Sequence, residues 1–321
     1  MSWALGFGLA ASALLLVNRL PHGRLPPVLG IALSIAVLML RASLSVSLAV
    51  LCVYYLPTTE VFEFVVALCG HAGLPWSSAP MHLPLGRLGN VATLFPGLLL
   101  AASGSLTMIS LWWGSRRARE WLARSVLRDG PSESLIVGGN GVFLAAAGVR
   151  SPRIVVSTGA LLSLEGAELE AGLEHERAHI VRRHPRLRVV GVALGALGCL
   201  LPGGRCAQRS LRFHLERDAD ECAVRRTGNP LALAAAICKS AGSPGGDGAA
   251  LHLDGEGASD RLSALLDRDR RPRMVDLLGA VVAVAILSSL AILLALSIPL
   301  LLQTGTGHLV ANGTVGYPCH A

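Results

Sequence analysis

Residues 173–185 read LEHERAHIVRRHP and place His175, Glu176 and His179 in the order HExxH. Residues four apart on a helix share one face, so these two imidazoles can converge on a single tetrahedral metal ion. Glu176 then lies beside the open coordination position, where its carboxylate can take a proton from water and later release it. Because HExxH arises by chance in on the order of one such chain in a hundred, the motif needs independent support.

The residues around the motif predict that it lies on a helix. Between residues 164 and 183, apolar side chains recur at Leu169, Leu173, Ala178 and Ile180, and acidic side chains occupy the first turns. This spacing is typical of an amphipathic helix with an acidic N-terminal end. The two histidines are therefore expected on one face of that helix.

A second pair of residues supports a metal site. Residues 214–224 read HLERDADECAV, so Glu216 and Asp220 are four apart on another strongly helical stretch. Without HExxH upstream, such a pair would be interpreted as a solvated helix face. A catalytic site of the His-His-Glu type takes one carboxylate from a separate helix and leaves a fourth position open. Glu216 fits that ligand role, and Asp220 is placed to accept a hydrogen bond from a ligand histidine.

Short runs upstream of the HExxH motif predict a small β-sheet. These runs are apolar or β-branched, are separated by GGNG and RSP, and cover residues 134–137, 142–148 and 153–158. The last run, RIVVST, is a candidate edge strand that would bind an extended substrate by strand addition. The alternative is that this run only completes the sheet.

Other residues near the motifs have a structural interpretation. We interpret His184 as structural, because HExxHxxxxH lacks the glycine and spacing of three-histidine sites and Pro185 is expected to end the helix. His214 precedes Glu216 by two residues, or about 200° on a helix, so it is not expected to bind the metal. Residues 189–203 are apolar but short, and three interpretations stay open: a buried helix, a re-entrant segment or an interfacial anchor.

The whole chain has the composition of a membrane protein. Of its 321 residues, 52% are hydrophobic and only 15% are charged. Its seven cysteines form no CxxC pair, which argues against a structural zinc ribbon or a disulfide framework. Cys69 and Cys319 fall on the same, oxidising side of the membrane in the topology predicted below and could pair there.

The apolar runs predict membrane helices and their orientation. Four transmembrane helices are expected, at about residues 3–20, 27–56, 91–113 and 275–302. Arg41, within the second run, is expected to snorkel to the cytoplasmic interface, and the alternative is a functional charge inside the membrane. Of the 28 basic residues, 24 lie between residues 114 and 276, which places this segment inside and both termini outside. The same segment contains 19 of the 21 acidic residues, so its charge does not indicate direct nucleic-acid binding.

The order of the motifs resembles a known family. HERAH on one helix, followed after an apolar stretch by ERDADECAV on another, is similar to the membrane zinc metallopeptidases of the BlaR/MecR antirepressor type. The ExxAD pattern of Glu216, Ala219 and Asp220 is also similar to the HtpX and CAAX prenyl protease group. Three predicted membrane helices before the motifs and one after them favour the BlaR/MecR type. The resemblance extends over about residues 91–302.

The resemblance implies a Zn²⁺ ion bound by His175, His179 and Glu216, with Glu176 as general base and Asp220 hydrogen-bonded to a ligand. The chain departs from the antibiotic sensors of that family in one respect. Only residues 303–321 follow the last predicted helix, and they contain no SxxK serine and no room for a penicillin-binding sensor domain. We therefore do not expect this chain itself to sense β-lactams.

Together these features predict a mainly α-helical, multi-pass protein of the plasma membrane. Residues 1–113 would hold three membrane helices and an outside loop at 57–90. Residues 114–274 would form a cytoplasmic α+β metallopeptidase domain of zincin type, inserted between the third and fourth membrane helices. Residues 303–321 would form a short outside tail.

The predicted activity is zinc-dependent cleavage of peptide bonds at the cytoplasmic membrane face. The expected partners are the lipid bilayer and a protein substrate, such as a winged-helix repressor, and a homo-oligomer is compatible with the sequence. Two alternatives stay open: quality control of membrane proteins, as in HtpX, and a signalling scaffold without catalysis. The intact set of His175, Glu176, His179 and Glu216 argues against the scaffold, which has no need of all four.

Overall fold

The computed structural model describes residue 14 and residues 25–55, 86–131, 134–148, 152–241, 258–266 and 274–311. The helices of this part are α1 Pro27–Tyr55, α2 Gly86–Ser125, α3 Thr158–Ser163, α4 Gly166–Val181, α5 His184–Leu197, α6 Gly204–Thr227, α7 Pro230–Ala241, α8 Ala258–Leu266 and α9 Met274–Ala311. The strands are β1 Val126–Asp129, β2 Leu135–Val137, β3 Leu144–Ala147 and β4 Arg153–Ser157. The described residues are thus mostly helical with one small mixed sheet, as the sequence predicted.

Three of the described helices are long and apolar enough to cross a membrane. Helices α1, α2 and α9 correspond to the second, third and fourth predicted spans. Helix α2 continues about three turns past its predicted end at residue 113, where Arg116 and Glu120 pair at 3.0 Å, one turn apart. The first predicted span, apart from Leu14, and most of the outside loop lie outside the described residues. So does the predicted pair of Cys69 and Cys319.

The four strands form one sheet in the order β1-β2-β4-β3. Strands β2 and β4 are parallel, whereas β1–β2 and β3–β4 are antiparallel pairs. Strand β1 was not predicted, because it follows α2 directly and all four of its residues are exposed, which leaves no alternating pattern. Strand β4 is central, so the prediction that residues 153–158 form an edge strand is wrong. That run completes the sheet, and β3 lies at the edge.

Helix α4 carries the HExxH motif and lies in the centre of the folded domain. It begins after a capping box in which Glu165 and Glu168 exchange side-chain and backbone hydrogen bonds. Leu173 packs with residues of β3, β4 and α3, and Ala171 packs with residues of α6 and α7. Both sides of α4 are therefore held by apolar contacts, which fixes the direction of its polar face.

The chain turns sharply after α4. Arg183 has a φ of 58° and lies between the end of α4 and the start of α5. Pro185 lies in the first turn of α5. Proline is tolerated there because the N–H groups of a first turn have no hydrogen-bond partner within the helix. Pro185 therefore begins the next helix, and α4 has already ended at Val181.

Helices α5 and α6 form a hairpin that packs against α1, and α5 also contacts α2. Arg41 lies in the middle of α1 and is buried, with 6% of its surface exposed. Its Nη2 donates a hydrogen bond to the backbone carbonyl of Leu201, in the turn of the hairpin. The prediction that Arg41 snorkels to the interface is therefore wrong, because the side chain is directed into the protein.

Helix α6 approaches α1 at a contact that requires glycine. A Cβ atom at Gly30 would lie 2.3 Å from the ring of His214, which is fully buried. His214 is thus a packing residue between the two helices. This agrees with its predicted position about 200° around α6 from Glu216.

We expect Gly30→Ala to lower the free energy of unfolding by about 1–3 kcal/mol, because the ring and the two helices must move apart. Gly104→Ala in α2 is the matched control, since a Cβ atom there meets nothing within 4 Å. This control should keep or slightly raise stability, because alanine is the better helix former. Thermal unfolding of both variants in one detergent measures the difference, and equal melting temperatures would contradict the tight contact.

Candidate active site

Helices α4 and α6 bring His175, His179 and Glu216 together, with their ligand atoms all within 4.8 Å of one another. Nε2 of His175 lies 3.1 Å from Nε2 of His179 and 3.4 Å from Oε2 of Glu216. Oε1 of Glu216 lies 3.6 Å from Nε2 of His179. Ligand atoms about 2.1 Å from a tetrahedral ion lie about 3.4 Å apart. The donor types and their spacing therefore fit a single metal ion such as Zn²⁺.

Asp220 lies behind His175, on the side away from the other ligand atoms. Its Oδ1 is 2.9 Å from Nδ1 of His175. The oxygen lies to one side of the direction in which the ring N–H points. A carboxylate at this distance favours the tautomer with the proton on Nδ1. Nε2 of His175 then keeps its lone pair for a metal. Asp220 therefore lies where the sequence predicted a partner for a ligand histidine.

His184 has the equivalent position behind His179. Its Nδ1 lies 2.9 Å from Nδ1 of His179, and its Nε2 lies 3.1 Å from Oδ2 of Asp218. Burial lowers the pKa of His184, which favours the neutral ring. Because the carboxylate of Asp218 accepts from Nε2, Nδ1 of His184 must accept from Nδ1 of His179. This leaves the lone pair of Nε2 on His179 for a metal, so His184 orients a candidate ligand and is not itself one of the candidate ligands.

Two arginines that the sequence analysis missed contact Glu216. Arg188 of α5 donates to Oε1, and Nη1 of Arg261 on α8 lies 3.2 Å from Oε2. Arg261 also donates to both carboxylate oxygens of Asp220, at 2.9 and 2.7 Å. The buried guanidinium of Arg261 thus orients both Glu216, a candidate ligand, and Asp220, the partner of His175. No local pattern could reveal Arg261, because it is 41 residues from Asp220.

Glu216 is ionised at the site, and His175 holds a proton that a metal ion can replace. Burial raises the pKa of Glu216, but hydrogen bonds from His175 and His179 outweigh it and hold that pKa well below its usual range. Burial lowers the pKa of His175, but its contacts with Asp220 and Glu216 raise that pKa to about 9. Glu216 is therefore an anion, and a metal ion that binds here displaces a proton from His175.

Glu176 lies between the ligand group and the edge of the sheet. The side chain is buried, and this burial raises its pKa to about 7. Oε2 of Glu176 accepts a hydrogen bond of 2.7 Å from the backbone N–H of Ala146 on edge strand β3. A carboxyl group with a pKa near neutrality suits proton transfer to and from water. The site thus combines a candidate base, a candidate metal centre and a strand edge.

We expect Arg261→Met to weaken metal binding about 10- to 100-fold, because Asp220 and Glu216 lose the group that orients them. The matched control is Arg225→Met, since Arg225 is exposed and pairs with Glu221 on the same helix, at 3.5 Å, and has no hydrogen bond to Asp220 or Glu216 among the described residues. Competition between each purified variant and a chelator of known affinity measures the effect. Equal affinities for the two variants would show that Arg261 does not orient the site.

Comparison with known protein families gives one result that agrees with this geometry. No match is found among curated proteins or among solved structures. Residues 142–237, which run from just before β3 into α7, match the family described as Peptidase family M48. The segment that carries HExxH and Glu216 therefore matches a family of metallopeptidases.

Proposed function

We propose that this protein is an integral-membrane zinc endopeptidase that cleaves peptide bonds at the cytoplasmic face of the membrane. The observation that carries the proposal is the convergence of His175, His179 and Glu216, with buried Glu176 beside them. The family match of residues 142–237 and the three apolar helices support it. A structural zinc site has four protein ligands and would not require a buried carboxyl group beside an open position.

The mechanism follows from the positions of the side chains. When zinc is bound by the two histidines and Glu216, it supplies Lewis acidity to the scissile carbonyl and to the attacking water. The hydrogen bond from Ala146 holds Oε2 of Glu176, which leaves Oε1 to take a proton from that water. Glu176 then delivers this proton to the leaving amine.

Edge strand β3 is the part of the fold that would hold the substrate. The N–H of Ala146 points to Glu176 and away from β4, so the free edge of the sheet borders the base. An extended peptide can add to such an edge through backbone hydrogen bonds, which places its own carbonyl groups along the row of ligands. This arrangement selects extended or unfolded segments over helical ones.

We further propose that the physiological role is regulated proteolysis, with a cytoplasmic transcriptional repressor as substrate. The resemblance of HERAH and ERDADECAV to antirepressor peptidases supports this choice. The basic composition of the segment between residues 114 and 276 supports a cytoplasmic active site.

A comparison of new protein N-termini tests this role in cells. Matched cells would express the wild-type chain or Glu176→Gln under several cell-envelope stresses. One or a few cleavages that depend on Glu176, with a repressor among them, are expected. Cleavage of many unrelated membrane proteins would instead indicate quality control. Identical N-termini in the two samples would contradict a peptidase and favour the scaffold.

A further inference from the structure

Helices α5 and α6 associate with each other and with α1 through contacts typical of membrane interiors. The hydroxyl of Ser34 donates to that of Ser210 at 3.1 Å, and the amide of Gln208 donates to the carbonyl of Gly191 at 3.2 Å. A Cβ atom at Gly191 would lie 2.5 Å from the side chain of Leu211. Close approach at small residues and polar bonds between helices are the usual means by which helices associate in lipid.

The contacts along α1 show how far the hairpin extends. Gly30, in the first turn of α1, contacts His214, two residues before Glu216 on α6, whereas Arg41 contacts the turn between α5 and α6. Arg41 is the middle residue of the 29 in α1. The hairpin therefore follows α1 from its first turn to its midpoint, about 16 Å along the helix axis.

Helix α2 gives the same depth independently. The hydroxyl of Ser103 donates to the carbonyl of Ala196, near the end of α5, at 3.0 Å. Ser103 precedes Trp113 by ten residues, or about 15 Å of helix. Trp112 and Trp113 are exposed aromatic residues of the kind that marks the membrane–water interface. Because the hydrocarbon core is about 30 Å thick, the end of α5 lies near its middle.

The outward face of α5 suits contact with acyl chains. Val190, Ala193 and Leu197 are three and four residues apart, so they share one face of the helix, and all three are exposed. Residues 189–204, which include the turn, contain no charged side chain. The exposed surface of this segment is therefore apolar at the depth where α1 and α2 are surrounded by lipid.

Arg41 binds the turn of the hairpin. Its Nη2 donates to the carbonyl of Leu201, and Cβ atoms at Gly203 and Gly204 would lie 3.4 and 3.8 Å from its guanidinium nitrogens. The carbonyl end of a helix attracts a cation, so the end of α5 compensates the charge of Arg41. A charged side chain at the centre of a bilayer is stable only with such partners.

The opposite side of the hairpin has a different chemistry. Arg205, Arg209 and Arg212 are exposed and four and three residues apart, so they form one face of α6. Glu216 continues the same row toward the candidate metal centre. Placing three arginine side chains in hydrocarbon is too costly, so this basic face must be hydrated from the cytoplasmic side.

We propose that α5 and α6 form a re-entrant hairpin whose turn lies near the middle of the bilayer and is held there by Arg41. Acyl chains cover the apolar face of α5, while the basic face of α6 stays in contact with water. Arg41 is thus a positioning residue that fixes α6, and through it Glu216, relative to the membrane. This arrangement requires the membrane location proposed above but not the peptidase activity.

Two native cysteines allow a direct test in the unmodified chain. Cys199, in the turn, and Cys238, on α7, are both exposed at the protein surface. Sheared membranes would be treated with a charged, membrane-impermeant maleimide that reaches both faces, and the labelled peptides identified by mass spectrometry. Cys238 should be labelled and Cys199 should not, whereas both should react after denaturation in SDS. Equal labelling of the two cysteines in the native membranes would overturn the re-entrant hairpin.

The role of Arg41 is tested by the same labelling in three variants. Arg41→Ala should raise the labelling rate of Cys199 at least about tenfold, because the uncompensated turn moves toward water. Arg41→Lys should restore most of the protection, since an ammonium group can also donate to the carbonyl of Leu201. Ser34→Ala is the control and should keep Cys199 protected. Full protection in Arg41→Ala would overturn the role of Arg41; if Arg41→Ala does not accumulate, Arg41→Met replaces it, and full protection there would overturn the role.

Discussion

Glu216→Gln should weaken metal binding by the purified protein by more than about 100-fold. This exceeds the roughly 10- to 100-fold loss expected when a residue that is hydrogen-bonded to a ligand is removed. The amide oxygen is a poor ligand because it has no charge. Arg188 and Arg261, which now compensate the carboxylate, would in addition repel the cation. The zinc content per chain, measured by elemental analysis after dialysis against graded chelator, reports the change.

The matched control for this experiment is Glu221→Gln on the same helix. Glu221 is partly exposed and pairs with Arg217 at 3.8 Å and with Arg225 at 3.5 Å, so the substitution removes the same charge without touching the site. Ion pairs that solvent reaches contribute about 0–1 kcal/mol to stability. Equal zinc retention in the two variants would show that Glu216 is not a ligand, whatever its position.

Glu176→Gln should lower the turnover number by about 10²- to 10⁴-fold and leave the zinc content unchanged. The amide cannot take a proton from water, whereas the three ligand atoms do not depend on it. Cleavage of an unfolded test protein by purified, zinc-loaded protein in detergent measures turnover. A fall in zinc content parallel to the loss of activity would instead make Glu176 part of the metal site.

Glu174→Gln provides the control for the Glu176 substitution. Glu174 is on the same helix, two residues away, and pairs with Arg177 and, at 2.8 Å, with Arg226 of α6. Both arginines reach solvent although Glu174 is mostly buried, so loss of the pairs should lower stability by about 1 kcal/mol. Activity near the wild-type level is expected, and an equal loss in both variants would assign the effect to the folding of α4.

The candidate ligands could be predicted from sequence because their relation is local. His175 and His179 are one helical turn apart, and so are Glu216 and Asp220, and helix geometry alone decides that each pair shares a face. The three apolar helices were predictable for a similar reason, since length and composition decide whether a helix can cross a bilayer. The bounds of α2 and α9 were less accurate, because helix formation continues past the apolar residues.

The environment of the ligands depends on contacts between distant residues, and no local pattern contains it. Arg261 reaches Asp220 and Glu216 from α8, and the N–H of Ala146 reaches Glu176 from the sheet edge. That edge belongs to β3 and not to β4, because strand order is decided by long-range pairing.

The sequence by itself determined the chemical groups of this site: two imidazoles and a carboxylate as candidate metal ligands and a second carboxyl group as candidate base, at helical spacing in a chain apolar enough for a membrane. Only the tertiary structure decided how these groups are oriented, through Asp220 behind His175 and the pair of His184 and Asp218 behind His179. It also decided that the charge of Arg41 is directed into the protein. The physical reason is that ligand spacing follows from the geometry of one helix, whereas tautomers, buried charges and depth in the membrane follow from the packing of several.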